Sequence, residues 1–139
     1  MIASERTSRN VTNTPQQAEA TELRLELPLP PTINHYYGYR NGKVRQIYIT
    51  KDGKAFRHHV ALEVMIKGAR GRFERNRLAL DIELNFQRRG ADLDNRIKPL
   101  FDALERATLF ENDRQIDEFH VKRGENIKGG RCVVRIWSV

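Results

Sequence analysis

The sequence has a single cysteine, Cys132, so no disulfide bond can form within the chain. It also lacks any apolar run near the roughly 18 residues that a membrane-spanning helix needs, and its N-terminal segment lacks the apolar centre of a signal peptide. We therefore expect a cytoplasmic protein with no membrane partner. Because Cys132 lies in a strand-like run, we expect it to be a small buried side chain and not a nucleophile.

Acidic side chains are outnumbered: the chain has 18 aspartates and glutamates against 25 lysines and arginines, a formal net charge of +7. A basic surplus on a small chain favours a polyanionic partner such as nucleic acid, because each phosphate contact releases condensed counterions. Charge alone leaves open the alternative of an ordinary soluble basic protein.

Core-forming residues are scarce in residues 1–21, where Ile2 and Val11 are the only large aliphatic residues. Such a segment buries too little apolar surface to offset its loss of conformational entropy, which predicts a flexible tail. Residues 22–139 are long enough for one modest hydrophobic core, so we expect a single domain there.

Apolar residues in that domain change their spacing along the chain. Strand-like patterns occur at residues 23–27, 78–86, 116–122 and 131–137. Helical repeats occur at about residues 52–67 and 96–107. Gly129-Gly130 lies between the last two strands and indicates that they form a hairpin. The order strand, helix, strand, helix, strand, strand predicts an α+β fold, with one mixed β-sheet and two main helices packed on it.

The ends of both helices carry recognisable signals. The candidate N-caps are Thr50 or Asp52 for the first helix and Asp94 or Asn95 for the second. Pro99 is tolerated only in the first helical turn, so the regular part of the second helix should begin near Arg96.

The most informative stretch of the sequence is Asp92-Leu93-Asp94-Asn95-Arg96-Ile97-Lys98. If the chain is extended at its start, Asp92 and Asp94 point the same way, because strand side chains alternate. Converging carboxylates repel one another by roughly 3 kcal/mol per pair at about 5 Å, and a divalent cation removes that cost. Hard oxygen ligands favour Mg²⁺ or Mn²⁺ over zinc.

Two more residues complete this candidate site. Asp113 is a candidate third acid if folding returns its loop to the start of the second helix. Lys98 lies one helical turn after Asp94, on the same face. A metal with a nearby lysine suits phosphodiester hydrolysis, because both neutralise charge on the phosphate. The residues alone leave open a second interpretation, a capped helix start in which Lys98 pairs with Asp102.

Several longer motifs follow one another along the chain. Near the N-terminus they are Leu27-Pro28-Leu29-Pro30-Pro31-Thr32-Ile33-Asn34, Tyr36-Tyr37 and Asp52-Gly53-Lys54-Ala55-Phe56-Arg57. The most specific are Arg88-Arg89-Gly90-Ala91-Asp92-Leu93-Asp94-Asn95, Lys98, Phe101-Asp102-Ala103-Leu104, Asp113 and Lys128-Gly129-Gly130-Arg131. In this order the set resembles the RusA family of Holliday-junction resolvases, and the resemblance runs from about Leu25 to Val134.

This resemblance implies a function and its residues. It implies that Asp92, Asp94 and Asp113 are essential aspartates at the metal, and that Lys98 is an essential lysine. It further implies a homodimer that uses Mg²⁺, for which Mn²⁺ can substitute, and cleaves four-way and other branched DNA symmetrically in recombination and repair. The resemblance also implies that the protein occurs in a bacterial or phage-infected cell, since resolvases of this kind are often encoded by phage or prophage genomes.

The sequence departs from the family pattern at two places. Gly90-Ala91 stand where relatives can carry arginine, which thins the basic run ahead of Asp92 and bears on DNA contact. Asn112 stands where an aspartate can precede the last essential one, which bears on metal ligation.

Other residues are weaker candidates for contacts with DNA. The candidates are Arg88, Arg89, Lys98 and Asn34. The arginine-rich loop at residues 70–77 is more simply an exposed loop. Tyr36 and Tyr37 either stack on unpaired bases or close the core under the sheet. The four histidines show no metal-binding spacing.

Three functions are compatible with the sequence. The first is the resolvase, whose two opposed cuts require two acidic clusters and so favour a twofold dimer. The second is a non-catalytic basic DNA-binding module with structural acids. The third, a magnesium-dependent enzyme acting on nucleotides, accounts least well for the basic charge.

Overall fold

The computed structural model describes residues 22–139. The predicted flexible tail, residues 1–21, lies outside the described residues. Within residues 22–139, six strands run β1 Leu23–Leu27, β2 Tyr37–Arg40, β3 Gln46–Ile49, β4 Leu78–Asn85, β5 Ile116–Arg123 and β6 Arg131–Ser138. The same part of the chain has three α-helices, α1 Ile33–Tyr36, α2 Lys51–Ile66 and α3 Ile97–Arg106. Two short 3₁₀ turns of this described range cover Asp94–Arg96 and Asp113–Gln115.

Four strands form the main sheet in the order β1-β6-β4-β5. Strand β6 is antiparallel to both β1 and β4, whereas β5 is parallel to β4. The sheet is therefore mixed, and with α2 and α3 packed on it the domain is α+β, as the sequence predicted.

The predicted hairpin of the last two strands is wrong, because β4 lies between β5 and β6. Their connection crosses the end of β4, where Gly124 N donates to Leu84 O at 3.0 Å and Ile127 N donates to Phe86 O at 3.0 Å. Two strand spacings amount to about 10 Å, which this seven-residue connection spans easily. The aliphatic strand β4 thereby gains a partner on each side and a central position.

The hydrophobic core lies between one face of the sheet and the helices. The alternating leucines of β1 and β4 point into it, as their spacing predicted, together with apolar residues of α2 and α3. Leu25, Leu80, Val60, Leu100 and Leu104 are fully buried. This packing fixes α3 against the sheet and so sets the position of everything attached to its ends.

The ends of the main helices follow their sequence signals in part. Thr50 caps α2 by accepting a hydrogen bond from Gly53 N at 3.0 Å. Pro99 lies in the first turn of α3, where its missing N–H leaves no hydrogen bond unmade. The predicted caps Asp94 and Asn95 are wrong, because neither side chain caps α3 and the chain enters the helix through a 3₁₀ turn.

A second, two-stranded sheet formed by β2 and β3 stands apart from the main one. None of the four strand-like patterns found in the sequence covers this segment. Among the described helices, none combines the length and apolar character required to cross a membrane.

Candidate active site

Asp92 and Asp94 lie on an exposed bend ahead of α3. Leu93 between them is helical, with φ −77° and ψ −41°. The strand-like alternation expected to align the two carboxylates is therefore absent. Leu93 and Ile97 pack partly against the core, which favours a helical entry over an extended one. Both aspartates are exposed, and neither forms an ion pair with another of the described residues 22–139.

Two arginines that the sequence analysis did not single out fix this bend. Arg123 of β5 donates to Ala91 O at 2.8 Å, and Arg96 donates to Pro30 O at 2.7 Å. Both guanidinium groups lie 5.1 Å from the ring centroid of the buried Phe86. Burial lowers the pKa of Arg96 from its ordinary value. The bend is thus tied to β5 and to the loop after β1.

Lys98 and Asp113 meet on the exposed side of α3. Lys98 Nζ lies 3.2 Å from Asp113 Oδ2, with side chains 59% and 26% exposed. The hydrogen bond to Asp113 raises the pKa of Lys98 above its usual value. The return of the chain that the sequence could not establish is therefore present, and it brings the predicted third acid to the predicted lysine.

A set of polar contacts holds Asp113 in this position. Asn112 caps the following 3₁₀ turn by accepting from Arg114 N at 2.8 Å, and Gln115 Oε1 accepts from Asn112 N at 2.9 Å. Glu105 of α3 accepts from Asp113 N at 3.0 Å. Asn112, one of the two departures from the family pattern, thus uses its side-chain oxygen as a helix cap.

The alternative pairing of Lys98 with Asp102 is wrong. Asp102 lies one helical turn further along α3, where its Oδ2 accepts from Arg57 Nη2 at 2.7 Å and from the hydroxyl of Tyr36. Arg57 Nε also donates to the Tyr36 hydroxyl at 2.7 Å. Burial and the bond to Asp102 raise the pKa of Tyr36. Tyr36 is fully buried and closes the core, the second of the two roles considered for it.

The predicted metal ligands fit a hard cation in donor type, since all three are carboxylates. Within residues 22–139, however, no three histidine, cysteine, aspartate or glutamate side chains lie close enough together to hold one ion. Asp113 Oδ2 accepts a hydrogen bond from Lys98 Nζ, whereas no described group bonds to Asp113 Oδ1. The structure therefore unites one acid with the lysine and leaves the three-aspartate cluster as a prediction.

The predicted DNA contacts are accessible. Arg88, Arg89 and Asn34 are exposed, and Arg88 and Arg89 lie on the loop that leads from β4 to the acidic bend. Lys98 is exposed beside Asp113. In the arginine-rich loop after α2, Arg75 pairs with Glu111 at 3.1 Å. Exposure is required for phosphate contact, and these positions satisfy that requirement.

Residues that position the site gave little local signal in the sequence. Arg57, Glu105, Gln115 and Arg123 are ordinary polar residues by composition, and each acts on a group 8 to 45 positions away or on the turn beside Asp113. Only their placement in the fold reveals their role.

An acidic bend, a lysine and a carboxylate at one end of a basic α+β domain define a candidate phosphodiester-cleaving site. Comparison with known proteins specifies it further. A family model described as Endodeoxyribonuclease RusA matches residues 28–137. The chain therefore belongs to the RusA endodeoxyribonuclease family.

Known relatives align with this chain over most of their own length. A protein of Enterobacteria phage HK97 named crossover junction endodeoxyribonuclease rusA is 33% identical over 116 residues, which is 83% of this chain and 93% of the relative. The protein of that name from Enterobacteria phage 82 is 33% identical over 117 residues, with 81% and 91% of the two chains covered. The Escherichia coli K12 protein, crossover junction endodeoxyribonuclease RusA, is 32% identical with the same coverage.

Proposed function

We propose that this chain is an endonuclease that resolves Holliday junctions by paired, symmetric hydrolysis of phosphodiester bonds in DNA recombination and repair. The observation that carries the proposal is the contact between Lys98 and Asp113, which joins two predicted site residues from separate elements at 3.2 Å. Relatives of nearly full length are named for cleavage at crossover junctions, and the net charge of +7 suits a DNA substrate.

The proposed cofactor is Mg²⁺, with Mn²⁺ as a substitute, and Asp92, Asp94 and Asp113 would hold it. When bound, such an ion activates water and neutralises the non-bridging phosphate oxygens. The two exposed aspartates belong to the bend and not to the core. To hold one ion, the three carboxylates would have to come closer together than they lie in this structure, by rotation of their side chains or by a small shift of the bend.

Lys98 has a complementary role in this proposal. Its ammonium group carries positive charge beside the carboxylates, where it would stabilise charge that develops on the scissile phosphate. The bond to Asp113 orients it in the absence of substrate. Arg88 and Arg89, exposed on the loop after β4, and Asn34, exposed in the short helix α1, would hold the flanking phosphates.

Paired cleavage also supports a homodimer. A four-way junction yields two duplexes only when two opposed strands are cut, and one chain offers one such site. A twofold dimer presents two sites with the symmetry of the junction. Sedimentation of the purified protein would measure whether its mass is twice that of one chain.

The direct test compares Asp92→Asn with wild-type protein on a synthetic four-way junction. We expect the wild type to cut in Mg²⁺ and the variant to lose at least about a hundredfold in rate, since the metal supplies several kcal/mol of stabilisation. Junction binding without divalent cations should change by less than about threefold, because the fold and the basic residues remain.

Asp81→Asn is a matched control, since Asp81 is a half-exposed aspartate paired with Arg135 of the neighbouring strand β6 at 3.1 Å. It should cut like the wild type. Unchanged cutting by Asp92→Asn would contradict the catalytic assignment. A wild type that binds junctions without cutting them would favour the DNA-binding module, and one that hydrolyses free nucleotides would favour the third interpretation.

A further inference from the structure

A hairpin projects from the domain at residues 37–49, and we call this segment the hairpin arm. Its strands β2 and β3 pair only with each other among the described strands, in the register Tyr37↔Ile49, Gly38↔Tyr48, Tyr39↔Ile47 and Arg40↔Gln46. Residues 39–48 are all exposed. An isolated two-stranded hairpin is only marginally stable in water. A partner that bound the hairpin arm would stabilise it, which favours a binding role.

The surface of the hairpin arm combines apolar and basic groups. Its exposed large hydrophobic residues are Tyr39 at 48%, Val44 at 74%, Ile47 at 66% and Tyr48 at 39%. Its basic residues are Arg40, Lys43 and Arg45, and it contains no aspartate or glutamate. Such a surface attracts an anionic partner and presents apolar and aromatic area to it.

Each face of the arm carries one tyrosine with one arginine over its ring. The Arg40 guanidinium lies 4.8 Å from the ring centroid of Tyr48, and that of Arg45 lies 4.6 Å from the ring centroid of Tyr39. A Cβ atom on Gly38 would lie 2.3 Å from Tyr48 Cζ, so glycine is what allows this ring to lie flat across the opposite strand. Both rings are therefore held in place and remain partly exposed, and a planar ligand would stack on a ring by displacing the arginine that lies over it.

The root of the arm is attached to the candidate active site. Tyr36, immediately before β2, is bonded through its hydroxyl to Asp102, one helical turn after Lys98. The rings of Tyr36 and Tyr37 meet edge to face at 4.8 Å. On the other strand, Thr50 N donates to Tyr36 O at 3.0 Å. These contacts fix the root of the arm to α3, one helical turn away from Lys98.

We propose that the hairpin arm binds the DNA strands at the branch point of a four-way junction, with Tyr39 and Tyr48 stacked on bases and the arm's basic residues on phosphates. This inference rests on the proposed function and names the element that would distinguish a junction from a duplex. Every base has a π-face, but bases at a branch point can leave their stack more easily than bases within a duplex.

The test measures binding of a four-way junction and of a duplex with the same number of base pairs, in buffer without divalent cations. We expect Tyr39→Leu with Tyr48→Leu to weaken junction binding at least about tenfold, because stacking on an aromatic ring is lost while apolar volume stays. Duplex binding should change by less than about twofold. The matched variant, Tyr39→Phe with Tyr48→Phe, keeps both rings and should bind the junction like the wild type.

A charge variant examines the basic residues of the arm. Arg40→Gln with Arg45→Gln should reduce the slope of log affinity against log salt by about two, since each phosphate contact contributes about 0.9. Arg70→Gln with Arg72→Gln removes the same charge from the loop that bonds to Thr108 beyond the other end of α3. That control should leave the slope nearly unchanged.

Circular dichroism and thermal unfolding would establish that the variants are folded, and Tyr39→Leu alone serves if loss of the Tyr48 ring unfolds the arm. Equal losses on junction and duplex, or no loss, would overturn the inference. So would a fall in molecular mass of the leucine variant, which would make the arm a contact between copies.

The proposed function is tested separately, by measuring whether the wild-type protein cuts junctions in Mg²⁺. If the wild type cuts junctions and the leucine variant binds them equally well, the arm inference fails and the proposed function stands. If the wild type binds junctions without cutting, and the leucine variant loses that binding selectively, the nuclease proposal fails and the arm inference stands.

Discussion

Two ion pairs one turn apart on α3 differ in almost every physical respect. Asp102 and Arg57 have side chains only 18% and 25% exposed, and their network includes a buried tyrosine. Lys98 and Asp113 are 59% and 26% exposed and meet through one contact at 3.2 Å. The first pair binds α3 to α2 and to the root of the hairpin arm, whereas the second can exchange its partners for a substrate or an ion. Two pairs that are close in sequence therefore differ in role: one holds elements of the fold together, and the other is the pair that we propose for the reaction.

Asp113→Asn should produce the largest effect on activity and almost none on folding. Loss of the carboxylate should lower junction cleavage in Mg²⁺ by at least about a hundredfold, because the metal that we propose Asp113 helps to hold would supply several kcal/mol of charge stabilisation. The free energy of unfolding should change by less than about 1 kcal/mol, since an exposed pair contributes little. Urea unfolding and single-turnover cleavage measure the two quantities. A stable variant that still cuts would remove Asp113 from the site.

Asp102→Asn should show the reverse behaviour. It leaves the Arg57 charge partly buried without its counter-charge, and we expect the free energy of unfolding to fall by about 2 kcal/mol, between the values for exposed and buried pairs. Cleavage per folded molecule should remain within about tenfold of the wild type. Urea unfolding and cleavage at low temperature test this expectation.

The control for Asp102→Asn is Asp117→Asn, which breaks the exposed pair with Arg77 and should cost much less stability. If both variants lose the same amount, burial does not distinguish the two pairs. If Asp102→Asn abolishes cleavage in a folded protein, the aspartate belongs with the reactive group.

Local patterns predicted what depends on local structure. The alternation of leucines located β1 and β4, Thr50 marked the start of α2, and Pro99 placed the start of α3 correctly. Asp113 and Lys98 were predicted to belong to one site, and in the structure they are in contact.

Features that depend on contacts between distant parts of the chain could not be predicted from local sequence patterns. Whether the last strand pairs with β5 or with β4 depends on which strand is most apolar on the core face, and a turn signal such as Gly129-Gly130 carries no information about it. Likewise the helical conformation of Leu93 follows from its packing on the core, and the bond between Arg57 and Asp102 joins positions 45 residues apart. At these positions tertiary packing overrides the preference of a short sequence pattern.

The smallest expected effect is a pH dependence of the free energy of unfolding that arises from Tyr36, whose hydroxyl bonds to both members of the Arg57–Asp102 pair. Burial raises the pKa of Tyr36 above the unfolded value, so the protonated form is favoured in the folded state. Its contribution to stability is fully present below about pH 10 and is lost as pH rises through the folded-state pKa, by at most about 1.4 kcal/mol per pH unit. Tyr36→Phe lacks this titration and should lose stability less steeply above pH 10, although it is the less stable protein at pH 8. The other tyrosines, lysines and arginines titrate in both proteins, so the difference between the two curves isolates Tyr36. Parallel curves from pH 8 to 11 in urea unfolding would show that the hydroxyl beside Asp102 ionises as freely as in the unfolded chain, and the contrast between a closed pair and an open one would lose its basis.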